Sequence, residues 1–473
     1  MSSPHLDALA ALDQQSTDPL YRQIYDRFRR AISSGVLKPG DRIPSARALA
    51  KDLGLARGTV ETAYAVLAAE GYVQARGQAG TIVTPGLAIH ARSPKHISAA
   101  PAPAEQTASS PTALLPFQLG LPALDAFPRK IWARLGARHL RAMHPIDMAY
   151  PPLHGLADLR REIAAYLQVS RGIHCMPAQI IITSGYSQTL RLIIQALLHE
   201  GDQVWMEDPG YPMTRALLTH ARLHIRPVPV DQDGLRVTEG IRSAGHARAA
   251  VVTPAHQSPL CVSLSLPRRL ALLDWASREN AWIIEDDYDG EYRYASRPLP
   301  ALKSLDREGR VLYAGTFSKV LYPGIRLAYL VVPENEIERF RHIVQSNPDS
   351  APALHQAIVT SFITEGHFGR HIQRMRKLYG ERRTATAAGL SAILGHLARV
   401  VPQPGGMHLI LQLLPHIDDT VLAQRMRKDG LYAHALSNWA QHVEISPALL
   451  LNFTNVASEA MARSLAQRIL RLV

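Results

Sequence analysis

Several things are scarce in this chain of 473 residues. It has only two cysteines, Cys175 and Cys261, which argues against a disulfide framework or a cysteine-rich metal site, so no metal is expected. No apolar run approaches the length needed to span a bilayer, and the opening "MSSPHLDALAALDQQ" lacks the charged-then-apolar order of a signal peptide. A cytoplasmic protein with no membrane partner is the expectation. Charged residues make up 19%, below the usual globular share, which speaks against bulk disorder. Internal repeats are absent too.

What is present is length and apolar content. A hydrophobic fraction of 47% supports sizeable cores, and the length leaves room for two or three domains. The formal charge of +12 is compatible with a polyanionic partner. It does not locate one: residues 1–84 hold ten Lys/Arg against eight Asp/Glu, so most of the excess lies elsewhere.

Three zones follow along the chain. The first, residues 14–84, is dense in helical pattern and turns. "DPLYRQIYDRFRRAISSG" carries a helical stripe at Leu20, Ile24, Tyr25, Phe28 and Ile32, with Asp18 as the expected N-cap. Ser45 is placed to cap a short helix "ARALAKDLG" that stops at Gly54, and a second helix runs from Arg57 to Gly71. Two short helices across a Gly-containing turn make a helix-turn-helix pattern. "YVQARGQAGTIV" then reads as two strands with a Gly-rich tip. In such a unit the second helix enters the major groove by its N-terminal end, where Arg57, Gly58 and Thr59 stand. Arg57 can fork onto guanine edges or clamp a phosphate. Arg47, Arg76 and Gln78 are better placed for backbone contacts, with Ser45 and Gly80 beside them. Ordinary surface arginines on a small helical domain would give much of the same pattern.

The second zone, residues 85–115, is rich in Ala, Pro and Ser and reads as a flexible to semi-extended linker. The third, residues 116–473, alternates short apolar runs such as "QIIITSG", "AAVVTPA" and "AWIIEDD" with amphipathic helices. This predicts an α/β fold with a mostly parallel sheet covered on both faces. Within it, "YAGTFSKVLYPGIRLAYL" sets Lys319 and Arg326 among apolar residues. Desolvation lowers a lysine's pKa and makes its neutral amine a nucleophile toward aldehydes. "AWIIEDDYDGEY" ends a strand on acids, where open sheets place ligands. "IIITSGYSQTL" puts Gly185, Tyr186 and Ser187 at a helix N-terminus, which favours an anion. Each piece alone is commonplace; their joint order is not.

The first zone resembles the winged helix-turn-helix of GntR-type regulators along its length, with "GQAGT" where a Gly-Ser-Gly-Thr tip is more usual. The third resembles the fold-type-I aminotransferases, carried by "TSGYSQTL", "EDPGYP", "TPAHQSPL", "IIEDDYDGEYRY" and "GTFSKVLYPGIRLAYLV". Together, with the "HQ" and "EDDYD" strings, the chain resembles the MocR/GabR subfamily of bacterial regulators. That resemblance implies a pyridoxal 5'-phosphate cofactor, with Lys319 as the Schiff-base lysine and Asp286 the partner of the pyridine nitrogen. Tyr288 would bond the ring hydroxyl and Tyr211 stack on the ring. Thr316, Ser318 and Arg326 would hold phosphate beside Gly185, Tyr186 and Ser187. Tyr150 would reach a phosphate in the neighbouring subunit of a homodimer, and His256 and Gln257 would stand near the ring. A smaller C-terminal α+β subdomain is implied as well.

The late-chain arginine that pairs with the substrate carboxylate in amino-acid-handling relatives is missing. "SPALLLNFTNV" has Leu449, Leu450 and Leu451 there, removing a charge-assisted anchor worth roughly 1.5–3 kcal/mol. Arg215 and Arg374 are the possible substitutes, although helical surface positions suit both, and Cys261 reads as a small apolar filler. The leading expectation is a regulator that binds double-stranded DNA at two half-sites and senses an amine, an amino acid or the cofactor. An active aminotransferase with a DNA-binding appendage is the alternative; a body that has lost its cofactor is a third.

Overall fold

The computed structural model describes residues 18–77, 80–87, 114–294, 300–401, 403 and 405–473. Gln78 and most of the expected linker (88–113) lie outside the described residues. The chain divides into two compact units, 1–108 and 109–473, each described by itself.

In the first unit, α1 (Leu20–Ser33) buries Ile24, Tyr25, Phe28 and Ile32 of the stripe read from the sequence and adds Ala31, while Leu20 is half-buried. Its cap differs from the expectation. Pro19, at φ −55° and ψ 140°, occupies the N-cap without a side-chain capping bond, and Asp18 stands one residue outside. Ser45 caps α2 (Ala46–Leu53), its hydroxyl accepting from the Ala48 amide at 3.2 Å. Gly54, at φ +66°, ends that helix in the left-handed conformation glycine adopts without a Cβ penalty. α3 (Arg57–Ala69) follows and packs on α1 through the edge-on ring pair Phe28–Tyr64, 5.5 Å apart. β1 (Val73–Ala75) and β2 (Thr81–Val83) then pair antiparallel, forming the expected wing.

The second unit is built on an eight-stranded sheet. Its strands are β3 (Ile180–Thr183), β4 (Gln203–Asp208), β5 (His224–Asp231), β6 (Gly234–Leu235), β7 (Ala249–Val252), β8 (Trp282–Asp287), β9 (Val311–Thr316) and β10 (Ala328–Val331), in the spatial order β3-β10-β9-β8-β7-β4-β5-β6. The run from β9 to β5 is parallel, while β10 lies antiparallel to both neighbours. Successive side chains point to opposite faces. Ile181, Val204, Met206 and Ile284 therefore enter one hydrophobic core, and Trp205, Val252 and Ile283 another. Trp205 stacks on Trp275 at 3.8 Å in the latter.

A second sheet of β11 (Ala398–Val401), β12 (His408–Leu413), β13 (His434–Ala435) and β14 (Ala448–Asn452) is wholly antiparallel. It shares a core with the 28-residue helix His367–Leu394. That helix meets the terminal helix Glu459–Leu470 at Gly389, where a Cβ would come within 2.5 Å of the Ala462 methyl, so only glycine permits the approach. This is the α+β subdomain expected at the C-terminus. No helix among the described residues is long and apolar enough to cross a membrane.

Candidate functional site

Strand direction brings the site together. β3, β4, β7, β8 and β9 all run the same way, so their C-terminal ends share one edge of the sheet. Antiparallel β10 begins at that edge, and its Ala328 pairs with both Thr183 and Thr316. Asp286 near the end of β8, and Gly185, Tyr288, Lys319 and Arg326 in the segments flanking the strand ends, thus converge at the mouth of the sheet as open α/β folds arrange it. They line a cavity of about 400 Å³ with Tyr186, Ser187, Tyr211, Thr316 and Ser318.

Lys319 is half-buried, and its Nζ donates to the Gly120 carbonyl oxygen at 3.0 Å. Gly120 sits at φ +77°, and a Cβ there would come within 2.3 Å of that Nζ. Burial pushes the lysine's pKa below its ordinary value against the opposing pull of Asp289 and Asp286. Asp286 is buried; burial, then the neighbouring carboxyls of Asp287 and Glu207, hold its pKa well above the carboxylate range.

The strand's two-residue period separates Asp286 from its neighbours. Asp287 forms a buried ion pair with Arg171 at 2.7 Å and accepts from the Tyr313 hydroxyl at 2.7 Å. Glu285 accepts from the Leu302 and Lys303 amides, both at 2.8 Å. Of the acids on this strand, only Asp286 is turned to the cavity.

The other end of the cavity is cationic and rich in donors. Gly185, at φ +135°, is the N-cap of the helix Tyr186–Leu197, and a Cβ on it would lie 3.1 Å from the Arg326 guanidinium. Arg326 stands in the left-handed region at φ +50° and is exposed, and no carboxylate among the described residues pairs with it. The Ser318 amide donates to Thr316 Oγ1 at 3.1 Å. A nucleophilic amine, a buried acid and an unpaired guanidinium at a helix N-terminus form a donor set that fits pyridoxal phosphate, and Gly120 and Gly185 leave the space a side chain would fill.

Three of the expected residues stand elsewhere. Tyr150 is fully exposed and does not line this cavity. His256 is buried behind the lining, its Nδ1 3.1 Å from Asp289 and 3.3 Å from the Tyr288 hydroxyl. Gln257 faces away from the cavity: its amide donates to Pro209 O at 2.9 Å and Ser258 O at 2.8 Å, and its Oε1 accepts from the Leu260 amide at 2.9 Å. Arg215 bonds the Asn438 carbonyl and Arg374 that of Ala126, so neither lines the cavity.

Sequence reading missed several residues of the lining. Leu119, Gly120, Met213, Met407, His408, His434, Trp439 and Asp289 also face the cavity. The turn holding Trp439 is tied to the large sheet by Asp208, which accepts from the Gln441 and His442 amides, both at 2.8 Å. Gly210 also donates to the Trp439 carbonyl oxygen at 3.1 Å. Tyr211 and Trp439 consequently lie with ring centroids 5.7 Å apart. Cys261 is buried, but it is more than filler: its sulfur lies 3.3 Å from His408 Nε2. Burial raises its pKa, yet His256 and His408 outweigh that and bring it to about 6.

In the first unit Ser45, Arg47, Arg57, Gly58 and Arg76 are exposed, while Thr59 and Gly80 are half-buried. Arg57 Nε donates to Glu61 at 2.7 Å. No side chain or backbone lies within 4 Å of a Cβ built on Gly58, so the start of α3 presents open surface. The Arg76 amide donates to the Gly80 carbonyl oxygen at 2.8 Å, closing the wing's tip.

A capped helix-turn-helix with a wing and a cofactor cavity at a sheet edge define a DNA-binding transcription regulator with a pyridoxal-phosphate-binding, aminotransferase-like body. Comparison with known proteins agrees. The family described as "Bacterial regulatory proteins, gntR family" matches residues 20–83, and "Aminotransferase class I and II" matches residues 125–466. The chain is 35% identical to the probable rhizopine catabolism regulatory protein MocR of Rhizobium meliloti, over 96% of this chain and 94% of that one. It is 34% identical to the pyridoxine biosynthesis transcriptional regulator PdxR of Corynebacterium glutamicum, over 92% and 91%. Among solved structures, an archaeal alanine:glyoxylate aminotransferase matches with a TM-score of 0.69 and 28% identity, covering 76% of this chain and 91% of that one. Thermus thermophilus LysN, solved with a phosphopyridoxyl-leucine, matches at 0.67 and 26%, covering 76% and 94%. The chain belongs to the MocR-type regulators, GntR-family heads joined to an aminotransferase class I and II body.

Proposed function

We propose that this regulator senses a small amine, an amino acid or the cofactor itself through Lys319, and passes the result to its DNA-binding head. The observation that carries the reading is the Lys319 amine, held by Gly120 in one cavity with Asp286 and Arg326. When bound, pyridoxal phosphate supplies an aldehyde for an amine and an electron-withdrawing ring. Lys319 offers that amine in a desolvated, more readily neutral form. Asp286 would hold a proton for the ring nitrogen, the Tyr288 hydroxyl would serve the ring oxygen, and Tyr211 would lie against the ring. Arg326, Thr316 and Ser318, with Gly185, Tyr186 and Ser187, would hold the phosphate.

His256, backed by Asp289, positions Tyr288, and Gln257 fixes the loop beneath. Exposed Tyr150 is left to complete a second subunit's phosphate site in a cytoplasmic homodimer, whose two heads read two DNA half-sites. The domains are then a head at 14–84, a linker at 85–115 and an effector body at 116–473. For a ligand to shift DNA binding, it must bind one body conformation better than another.

Adding pyridoxal phosphate to the purified protein is expected to raise a visible absorption band that Lys319→Ala lacks, while both proteins keep salt-dependent binding to promoter DNA. A colourless wild type defeats the sensing half. The intact amine and acid also suit an active aminotransferase; steady-state release of a keto acid from an amino donor would establish that second reading.

A further inference from the structure

Beyond the residues assigned to the cofactor, the cavity is lined by Leu119, Met213, Met407, His408, His434 and Trp439, together with Gly120, Ser258, Asp289 and Pro323. Leu119, Met213, Pro323, Met407 and Trp439 are apolar or aromatic, and none of the ten is lysine or arginine. The cations facing the cavity are Lys319 and Arg326, which the proposed function already uses, together with these two imidazoles. His408 Nε2 is committed to the Pro259 carbonyl oxygen at 2.9 Å and to the Cys261 sulfur at 3.3 Å. His434 is held toward its neutral form, first by burial and then by Arg427.

Behind this wall the packing is apolar as well. Leu450 in β14 is fully buried and pairs in register with His434 and Ile410. It belongs to a core cluster with Trp439, against which Leu119 packs, whereas Leu449 and Leu451 point into the other core. Two carboxyl groups, Asp286 and Asp289, face the same cavity. A carboxylate brought in by a ligand would be desolvated against apolar side chains, facing acids and finding no uncommitted cation.

From this wall we infer that the pocket takes primary amines that carry no carboxylate, with an apolar or aromatic body. The inference rests on the proposed cofactor reading and narrows it from amines and amino acids to one class. The acids facing the cavity suit the ammonium group, while Met213, Met407 and Trp439 take the body by dispersion and ring contact.

The test is a spectral titration of the cofactor-loaded full chain with matched pairs that differ only in the carboxylate: phenethylamine against phenylalanine, and isoamylamine against leucine. The amine of each pair is expected to shift the visible band at a concentration at least tenfold lower than its amino acid. In Leu450→Arg the preference is expected to shrink or reverse, and should that variant fail to fold, His434→Arg makes the same point from the lining. Wild-type amino acids that act at equal or lower concentration than their amines, or amines that leave the band unmoved, overturn the inference. Failure to form any band on adding pyridoxal phosphate is a different result; it defeats the cofactor reading and this inference with it.

Discussion

The head sets its expected DNA contacts in water, whereas the body draws its amine and its acid out of it and leaves Arg326 exposed. In the head, Arg47, Arg57 and Arg76 stand exposed over a small core, and among the described residues Arg57 is held only by a surface pair with Glu61. In the body, Asp286 is buried and the Lys319 amine is desolvated inside a cavity. Exposed cations reach a phosphate backbone without a desolvation cost, but each contributes little and salt screens it. Buried groups change their chemistry instead: the lysine becomes easier to deprotonate and the aspartate easier to protonate. The head therefore offers exposed arginines to a polyanion, and the body a desolvated lysine and aspartate for a covalent site.

Substitutions on either side sharpen that contrast. The largest effect expected is in the body: Arg326→Ala removes charge-assisted bonds worth about 1.5–3 kcal/mol, so cofactor affinity falls about 10- to 100-fold in a spectral titration while DNA binding by the head persists. Arg57→Ala is expected to cost about 1–3 kcal/mol in binding to the specific promoter site and to leave the visible spectrum unchanged. Measured by gel shift at two salt concentrations, equal losses in both halves would break the division.

A pH series gives an intermediate effect. Attachment needs the neutral amine, and Lys319's lowered pKa supplies it at a pH where a free lysine is still protonated. The attachment rate should thus rise with pH and reach its half-maximum below the ordinary lysine pKa; a midpoint at or above that value would place the amine in water. Smallest is Ser45→Ala, which deletes the α2 cap and is expected to lower the head's stability by about 1 kcal/mol in a denaturant titration, with no change in cofactor binding.

The halves also differ in how plainly the sequence announces them. Ser45, Gly54 and the α1 stripe are local signals, set by capping and turn chemistry, and the elements form where those residues stand. Asp18 misled because Pro19 takes the cap beside it. In the body, ten of the residues expected at the cofactor line the cavity, since strand ends bring them there in motif order. The remaining wall was illegible. Leu119, Met407, His434 and Trp439 come from distant segments with no motif, brought together by Asp208's bonds to the loop after Trp439, by Asn452's bonds to the Gln118 and Leu121 carbonyls, and by the register of β12, β13 and β14. Gln257 and Cys261 were misjudged for a related reason: the loop turns the one away from the cavity and sets the other against His408, and neither is encoded by spacing.

The central claim is that position 319 holds the cofactor. Reducing the pyridoxal-phosphate-loaded protein with borohydride, digesting it and locating the phosphopyridoxyl mass tests it directly. The label is predicted on the peptide containing Lys319, in one copy per chain. A label spread over surface lysines, or fixed on a different one, would contradict the account.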